Sequence, residues 1–238
     1  MKFNDKEEAR AHVWDRLSEI GAARFPFVPR RRIPNFSGAD KAAKRLAEHP
    51  MFKEAQVVKI NPDSPQRPLR EMALRMGKTV VVPTPRLSKG FLIFRPSEID
   101  EENYRDASMI SRWGPFSKAV PLEKLPQVDL IVTGSVAVTK TGRRVGKGHG
   151  YSDLEYAILR ELGHRGAPVA TTVHDEQVVE EVPAEAHDLR LDLVVTPGET
   201  WECGEGRGGP EGIDWELLSE EDLEAMPVLA RLNEMGLS

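Results

Sequence analysis

The chain has 238 residues, 30% of them charged, and a formal charge of -5. That length suits one large domain with a buried core, and the acidic balance argues against a nucleic-acid footprint spread over the molecule. No run of about 18 apolar residues is present, so no membrane-spanning helix is expected. The N-terminal Met1-Lys-Phe-Asn-Asp-Lys-Glu-Glu8 lacks the apolar core of a signal peptide. Cys203 stands alone, which excludes an intramolecular disulfide and a cysteine-based zinc site. A cytoplasmic location is expected, with no membrane partner.

Ala9, Val13, Leu17 and Ile20 recur at helical spacing and predict a helix over Lys6–Ile20. Phe25–Pro34 reads as an irregular connector, its Arg30-Arg31-Arg32 run either a solvated patch or the lining of an anionic site. A helix is predicted over Ala39–Leu46, a strand over Ala55–Ile60 and a helix over Leu69–Met76, closed by Gly77 as a left-handed cap. Thr79–Val82 is a β-branched run suited to a strand buried on both faces. Pro83 and Pro85 end it, which places Thr84 and Arg86 at its C-terminal mouth, where open α/β sheets hold ligands. Phe91–Phe94, Leu130–Val132, Val169–Val173 and Leu193–Val195 complete the strand set. Residues 197–214 are polar and glycine-rich and read as a loop, followed by a terminal surface helix over Leu223–Met235. The alternation predicts the α/β class: a three-layer, open, mostly parallel sheet with helices on both faces, in a single domain over 1–238.

The segment Thr139–Asp153 concentrates Gly142, Gly146, Gly148 and Gly150 with Arg143, Arg144 and Lys147, just ahead of a predicted helix. Alternate glycines let backbone N–H groups turn toward one point, and the cations and helix start add positive charge there. That is phosphate-holding chemistry. A P-loop would need lysine after Gly148, where His149 stands, and a dinucleotide fingerprint would need glycine at Tyr151. On composition alone, a glycine-rich linker explains the segment equally well. Asp153 beside such a cradle repels phosphate unless a cation lies between them. Magnesium would remove the conflict; a carboxylate stabilising the first helical turn is the alternative. Ser152-Asp-Leu-Glu155 matches a capping box. Lys6 and Arg10 lie one helical turn apart, so both reach one polyphosphate or both are solvated surface charges.

Arg144-Val-Gly-Lys-Gly-His-Gly-Tyr-Ser-Asp153 resembles the glycine-rich signature of the 5-formyltetrahydrofolate cyclo-ligases. Val128–Ala137, Asp175–Val179, Pro183–Asp188 and Leu191–Thr196 follow the same family's pattern, and Lys6 and Arg10 match its K-x-x-x-R pair. The resemblance covers about residues 4 to 197, leaving 198–238 as a variable C-terminal loop and helix. Arg32–Phe36, Val82–Arg86 and Gly146–Glu155 resemble a divergent branch, the methenyltetrahydrofolate synthetase domain-containing proteins.

The resemblance implies an ATP-dependent ligase that uses Mg2+ and closes 5-formyltetrahydrofolate, or a similar heterocycle, to its methenyl product. It assigns catalysis to Arg144 and Lys147, and ATP binding to Lys6, Arg10, Arg144 and the loop Gly146, Lys147, Gly148, His149, Gly150 and Tyr151. Tyr151 and Asp63 are the implied substrate contacts, Asp63 standing where the family usually has glutamate, and Asp153 is the implied metal ligand. The implied partner is a small molecule, a reduced folate or its like. His187-Asp188 also matches, as a buried structural pair or a catalytic one. Ser152 replaces the family's second tyrosine, and His149 fills a loop position that is cationic in some cyclo-ligases. Ser88–Leu125 matches poorly, so Phe91, Phe94, Tyr104, Trp113 and Phe116 are core or a different substrate wall. With a retained phosphate end and an altered organic end, the alternative is a nucleotide-binding paralogue, in thiamine-related metabolism or as an RNA/nucleotide-binding module. No aromatic RNP motif is present, which favours the enzyme.

Overall fold

The structure, a computed structural model, describes residues 1–27, 30–164, 166–204 and 209–236. Residues 28–29 of the predicted connector and 205–208 of the glycine-rich loop lie outside the described residues. The strands are β1 (Val57–Ile60), β2 (Thr79–Pro83), β3 (Phe91–Phe94), β4 (Lys118–Val120), β5 (Leu130–Thr133) and β6 (Ala137–Thr139). They continue with β7 (Arg144–Val145), β8 (Val169–Thr172), β9 (Val178–Val179), β10 (Leu193–Val195) and β11 (Thr200–Glu202). Helices are α1 (Lys6–Glu19), α2 (Ala39–Glu48), α3 (Pro50–Glu54), α4 (Arg67–Arg75) and α5 (Tyr104–Ala107). The last three are α6 (Tyr151–Glu161), α7 (Glu220–Ala225) and α8 (Pro227–Glu234).

Eight strands form one sheet in the order β11-β10-β8-β5-β1-β2-β3-β4. β10, β8, β5, β1 and β2 pair in parallel, while β3, β4 and β11 add antiparallel edges. The three-layer, mostly parallel α/β expectation holds. Strands β4 and β11 escaped the sequence reading because they are short edges with partly exposed side chains and no apolar run. Alternation along each strand divides the core. Val58, Ile60, Val80, Val82, Leu130 and Val132 face α2 to α5, whereas Val81, Ile131, Val169 and Val194 face α6 and α8. By that same period of two, Lys59 points to the α6 face.

A small second sheet, β7-β6-β9, packs under α1 through Ala9, Val13 and Leu17. Arg144 therefore belongs to a hairpin rather than to the glycine loop. Gly142 sits at the β6–β7 turn, so close to the Leu191 carbonyl that a Cβ would clash with its oxygen. Arg143 donates to the Val182 carbonyl at 3.2 Å. The predicted helix over Leu223–Met235 is instead two helices, broken because Pro227 supplies no N–H and can only start a helix. Nor does this segment ride on the surface: Met226, Val228, Leu229 and Leu232 are buried in the α6-side core with Phe91 and Leu122. Gly77 takes the left-handed cap as expected, with φ 76°. Among the described residues no helix is long and apolar enough to cross a membrane.

Cys203 follows edge strand β11, and burial, reinforced by Asp192, pushes its thiol up to about 11. At pH 8 the thiolate fraction is then tiny, so iodoacetamide should modify native Cys203 about 100-fold more slowly than a free thiol. Unfolding in urea should restore the ordinary rate. Fast modification of the native protein would contradict this placement.

Candidate functional site

In chain order the parallel strands lie second-first-third-fourth-fifth across the sheet, so the connections diverge between β1 and β5. Such a switch point opens a crevice at the C-terminal strand ends. A cavity of about 270 Å³ lies there. β1 delivers Asn61 and Asp63 to it, β2 delivers Thr84 and Arg86, and α1 delivers Lys6 and Arg10. The hairpin supplies Arg144, the loop supplies Gly146 to Gly150, and α6 supplies Tyr151, Ser152, Asp153 and Glu155. Every residue to which the family resemblance assigns a site role lines this one cavity, whereas Gly142 and Arg143 of the same segment do not.

The loop is shaped by its glycines and held by two arginines. Gly148 and Gly150 have φ of 98° and 66°, a region costly for side chains with a Cβ. A Cβ on Gly146 would lie 2.9 Å from the Arg144 guanidinium, so any larger residue there would displace that side chain. Arg10 Nε donates to the Gly146 carbonyl at 2.8 Å. Arg144 Nε donates to the Gly134 carbonyl at the β5 exit, 3.1 Å away, and its Nη1 reaches Asp153 Oδ1 at 3.3 Å. Lys147 Nζ stands 3.6 Å from Asp63 Oδ1. Lys6 donates to Glu185 at 2.6 Å and Asp188 at 2.8 Å. Burial alone would depress the Lys6 ammonium, but those carboxylates outweigh it and hold its pKa above the ordinary value. Arg86 stands exposed at the rim in a left-handed conformation, φ 55°, and joins no ion pair among the described residues.

Several expectations are corrected. The capping box at Ser152 and Glu155 is absent, because Gly150 occupies the N-cap and no side chain caps α6. Within the first two turns of α6, Ser152 instead accepts a hydrogen bond from Asn61 and Glu155 pairs with Lys59 at 2.5 Å. His187 is not buried: its side chain is 48% exposed at the cavity mouth, 3.3 Å from Glu185. His149 is stacked on Tyr151, ring centroids 6.0 Å apart. No residue of Ser88–Leu125 lines the cavity; Phe91 and Phe94 are core, and Tyr104, Trp113 and Phe116 pack against it. Arg30 pairs with Asp15, and with Arg31 it lines a neighbouring pocket that Lys147, Gly148 and His149 of the loop share.

Sequence reasoning passed over Lys59 and Asn61 as site residues, placed Arg86 only at a strand mouth and Asp188 only in a motif with two readings, and took Glu155 for a cap. The overlooked signal was Lys59 itself, a lone cation inside Val57-Val-Lys-Ile60. Burial pushes the Glu155 carboxyl up against the pull of Lys59. Asp153 Oδ1 also accepts from the Leu189 N–H at 2.9 Å, which brings it to the wall that carries Asp188.

Residues 3–197 match the 5-formyltetrahydrofolate cyclo-ligase family. The chain belongs to that family. It is 42% identical over 96% of its length to a mouse methenyltetrahydrofolate synthase domain-containing protein, and spans 63% of that relative. A 5-formyltetrahydrofolate cyclo-ligase of Escherichia coli K12 is 29% identical over 68% of this chain and 89% of its own. The solved 5,10-methenyltetrahydrofolate synthetase of Aquifex aeolicus shares the fold, with a TM-score of 0.53 and 22% identity over 86% of this chain and 96% of that one.

The Arg144 side chain is only 4% exposed, so its pairing with Asp153 matters to the fold whatever else Asp153 holds. Asp153→Ala should cost about 2 kcal/mol in urea unfolding, in EDTA as well as in magnesium, since Asp153 is itself partly exposed. A variant as stable as the parent in EDTA would show that the pair adds nothing.

Proposed function

We propose that this chain is an ATP-dependent cyclo-ligase converting 5-formyltetrahydrofolate to 5,10-methenyltetrahydrofolate. The observation that carries the reading is the convergence of Lys6, Arg10, Arg144 and Lys147 on one glycine-lined cavity at the switch point. Four cations around so small a space favour a polyphosphate. In the reaction the formyl oxygen attacks the γ-phosphate and ADP leaves. N10 then closes on the activated carbon, and phosphate departs with the former formyl oxygen. No protein nucleophile is required, so the work of the chain is positioning and charge neutralisation.

Arg144, fixed by the Gly134 carbonyl, and Lys147 are the cations assigned to the transferring phosphoryl group. Lys6, Arg10 and the loop from Gly146 to Tyr151 are assigned to the rest of the nucleotide. Asp153, with Asp188 on the same wall, offers the carboxylate oxygens that suit magnesium, and that ion would supply charge neutralisation between phosphates. Asp63 and Tyr151 are assigned to the organic substrate. A second reading, a relative acting on another heterocycle, is favoured by Ser152, which lines the cavity where the resemblance calls for a tyrosine.

MgATP should raise the melting temperature, and protein mixed with 5-formyltetrahydrofolate and MgATP should generate the near-ultraviolet absorbance of the methenyl product. Lys147→Ala should lower turnover about 10²–10³-fold with little loss of stability, since that side chain is 36% exposed. A melting curve unmoved by millimolar MgATP, with no methenyl product, would overturn the reading.

A further inference from the structure

The floor of the cavity carries a hydrogen-bond pattern of its own. Lys59 is 1% exposed and Glu155 5%, and both meet beneath the β1 exit. An ammonium can only donate, so the Asn61 oxygen, 2.5 Å from Lys59 Nζ, must face it. That fixes the Asn61 amide nitrogen toward Ser152 Oγ, 3.1 Å away. Ser152 therefore accepts from Asn61, and its own proton is left to donate. No acceptor takes that proton among the described residues, and Ser152 lines the cavity. Glu155 lines the same cavity one helical turn further along α6, its Oε2 held by Lys59. A fixed acceptor thus stands beside a fixed donor.

We infer that Glu155 and Ser152 form a subsite for a heterocycle edge with an amino group beside an unprotonated ring nitrogen. The amino N–H donates to Glu155 and the ring nitrogen accepts from Ser152. This deepens the proposed function, and rests on it in one respect: the ring belongs to the molecule whose reaction the phosphate cradle serves. Lys59 keeps the carboxylate charge paired where water is scarce. A carboxylate so placed selects strongly. An analogue with a methyl in place of the amino group leaves it without a donor, and such buried mismatches are heavily penalised.

The test uses two fragments of matched shape, 2-aminopyrimidine and 2-methylpyrimidine, titrated by protein-observed NMR without nucleotide. The unmodified chain should bind the amino fragment about tenfold more tightly. Glu155→Gln, which can still offer its side-chain oxygen to Lys59, should bring that ratio to about one. Ser152→Ala should weaken both fragments alike and leave the ratio standing, because both present the ring nitrogen. If Glu155→Gln fails to fold, Ser152→Ala and the unmodified chain still decide the matter. Equal binding of the two fragments, an unchanged ratio in Glu155→Gln, or unaltered binding in Ser152→Ala would overturn the inference. The MgATP melting shift is read separately, so a failed phosphate cradle shows as no shift with the fragment ratio intact.

Discussion

Lys59 stands in a strand buried on both faces, where its side chain meets Glu155 of α6 at 2.5 Å and the Asn61 oxygen at the same distance. Desolvating two charges offsets most of their attraction, so such a pair adds little over a well-packed apolar one. Its contribution is placement. The helix can dock on the sheet only where Glu155 reaches Lys59, and α6 begins at Gly150, the end of the glycine loop. Fixing the helix therefore fixes the loop above the switch point. Asn61, bonded to both Lys59 and Ser152, ties the β1 exit into the same network. Arg70 completes the frame from behind, donating to the Asn61 and Asp63 carbonyls.

Around that frame the cations are held apart from one another by carboxylates. Lys6 has Asp188 and Glu185, Arg10 has Glu7, Arg144 has Asp153 and Lys147 has Asp63. Four like charges around one cavity would otherwise repel and scatter their side chains. Paired in advance, they would meet the proposed anion already oriented, which lowers the ordering cost of binding. The Lys147–Asp63 contact is the longest of these, 3.6 Å, and the most exposed on the cation side. On the proposed function it is the pair best placed to yield to the nucleotide, which would release Asp63.

The parallel core was legible because β-branched runs such as Thr79–Val82 can be little else, and the cradle because glycines alternate with cations before a helix. What escaped was long-range. Lys59 and Glu155 are 96 positions apart, and only the packing of α6 on β1 makes them partners. Ser152 and Glu155 mimicked a cap because the pattern carries no mark of where the helix starts; Gly150, left-handed, begins it two residues before Ser152. The C-terminal helix looked like surface because its apolar face, Val228, Leu229 and Leu232, finds its partners far back in the chain, at Phe91 and Leu122. Asp188 was visible as part of a motif, but its bond to Lys6 spans 182 positions.

The most direct measurement is a double-mutant cycle on the buried pair, with Lys59→Met, Glu155→Leu and the two combined, followed by urea unfolding. Each single variant strands a buried charge and should lose about 3–5 kcal/mol, and the combination should recover most of that loss. Losses that simply add would contradict the account, because they would mean that Lys59 and Glu155 act independently and that something else holds α6 over the sheet.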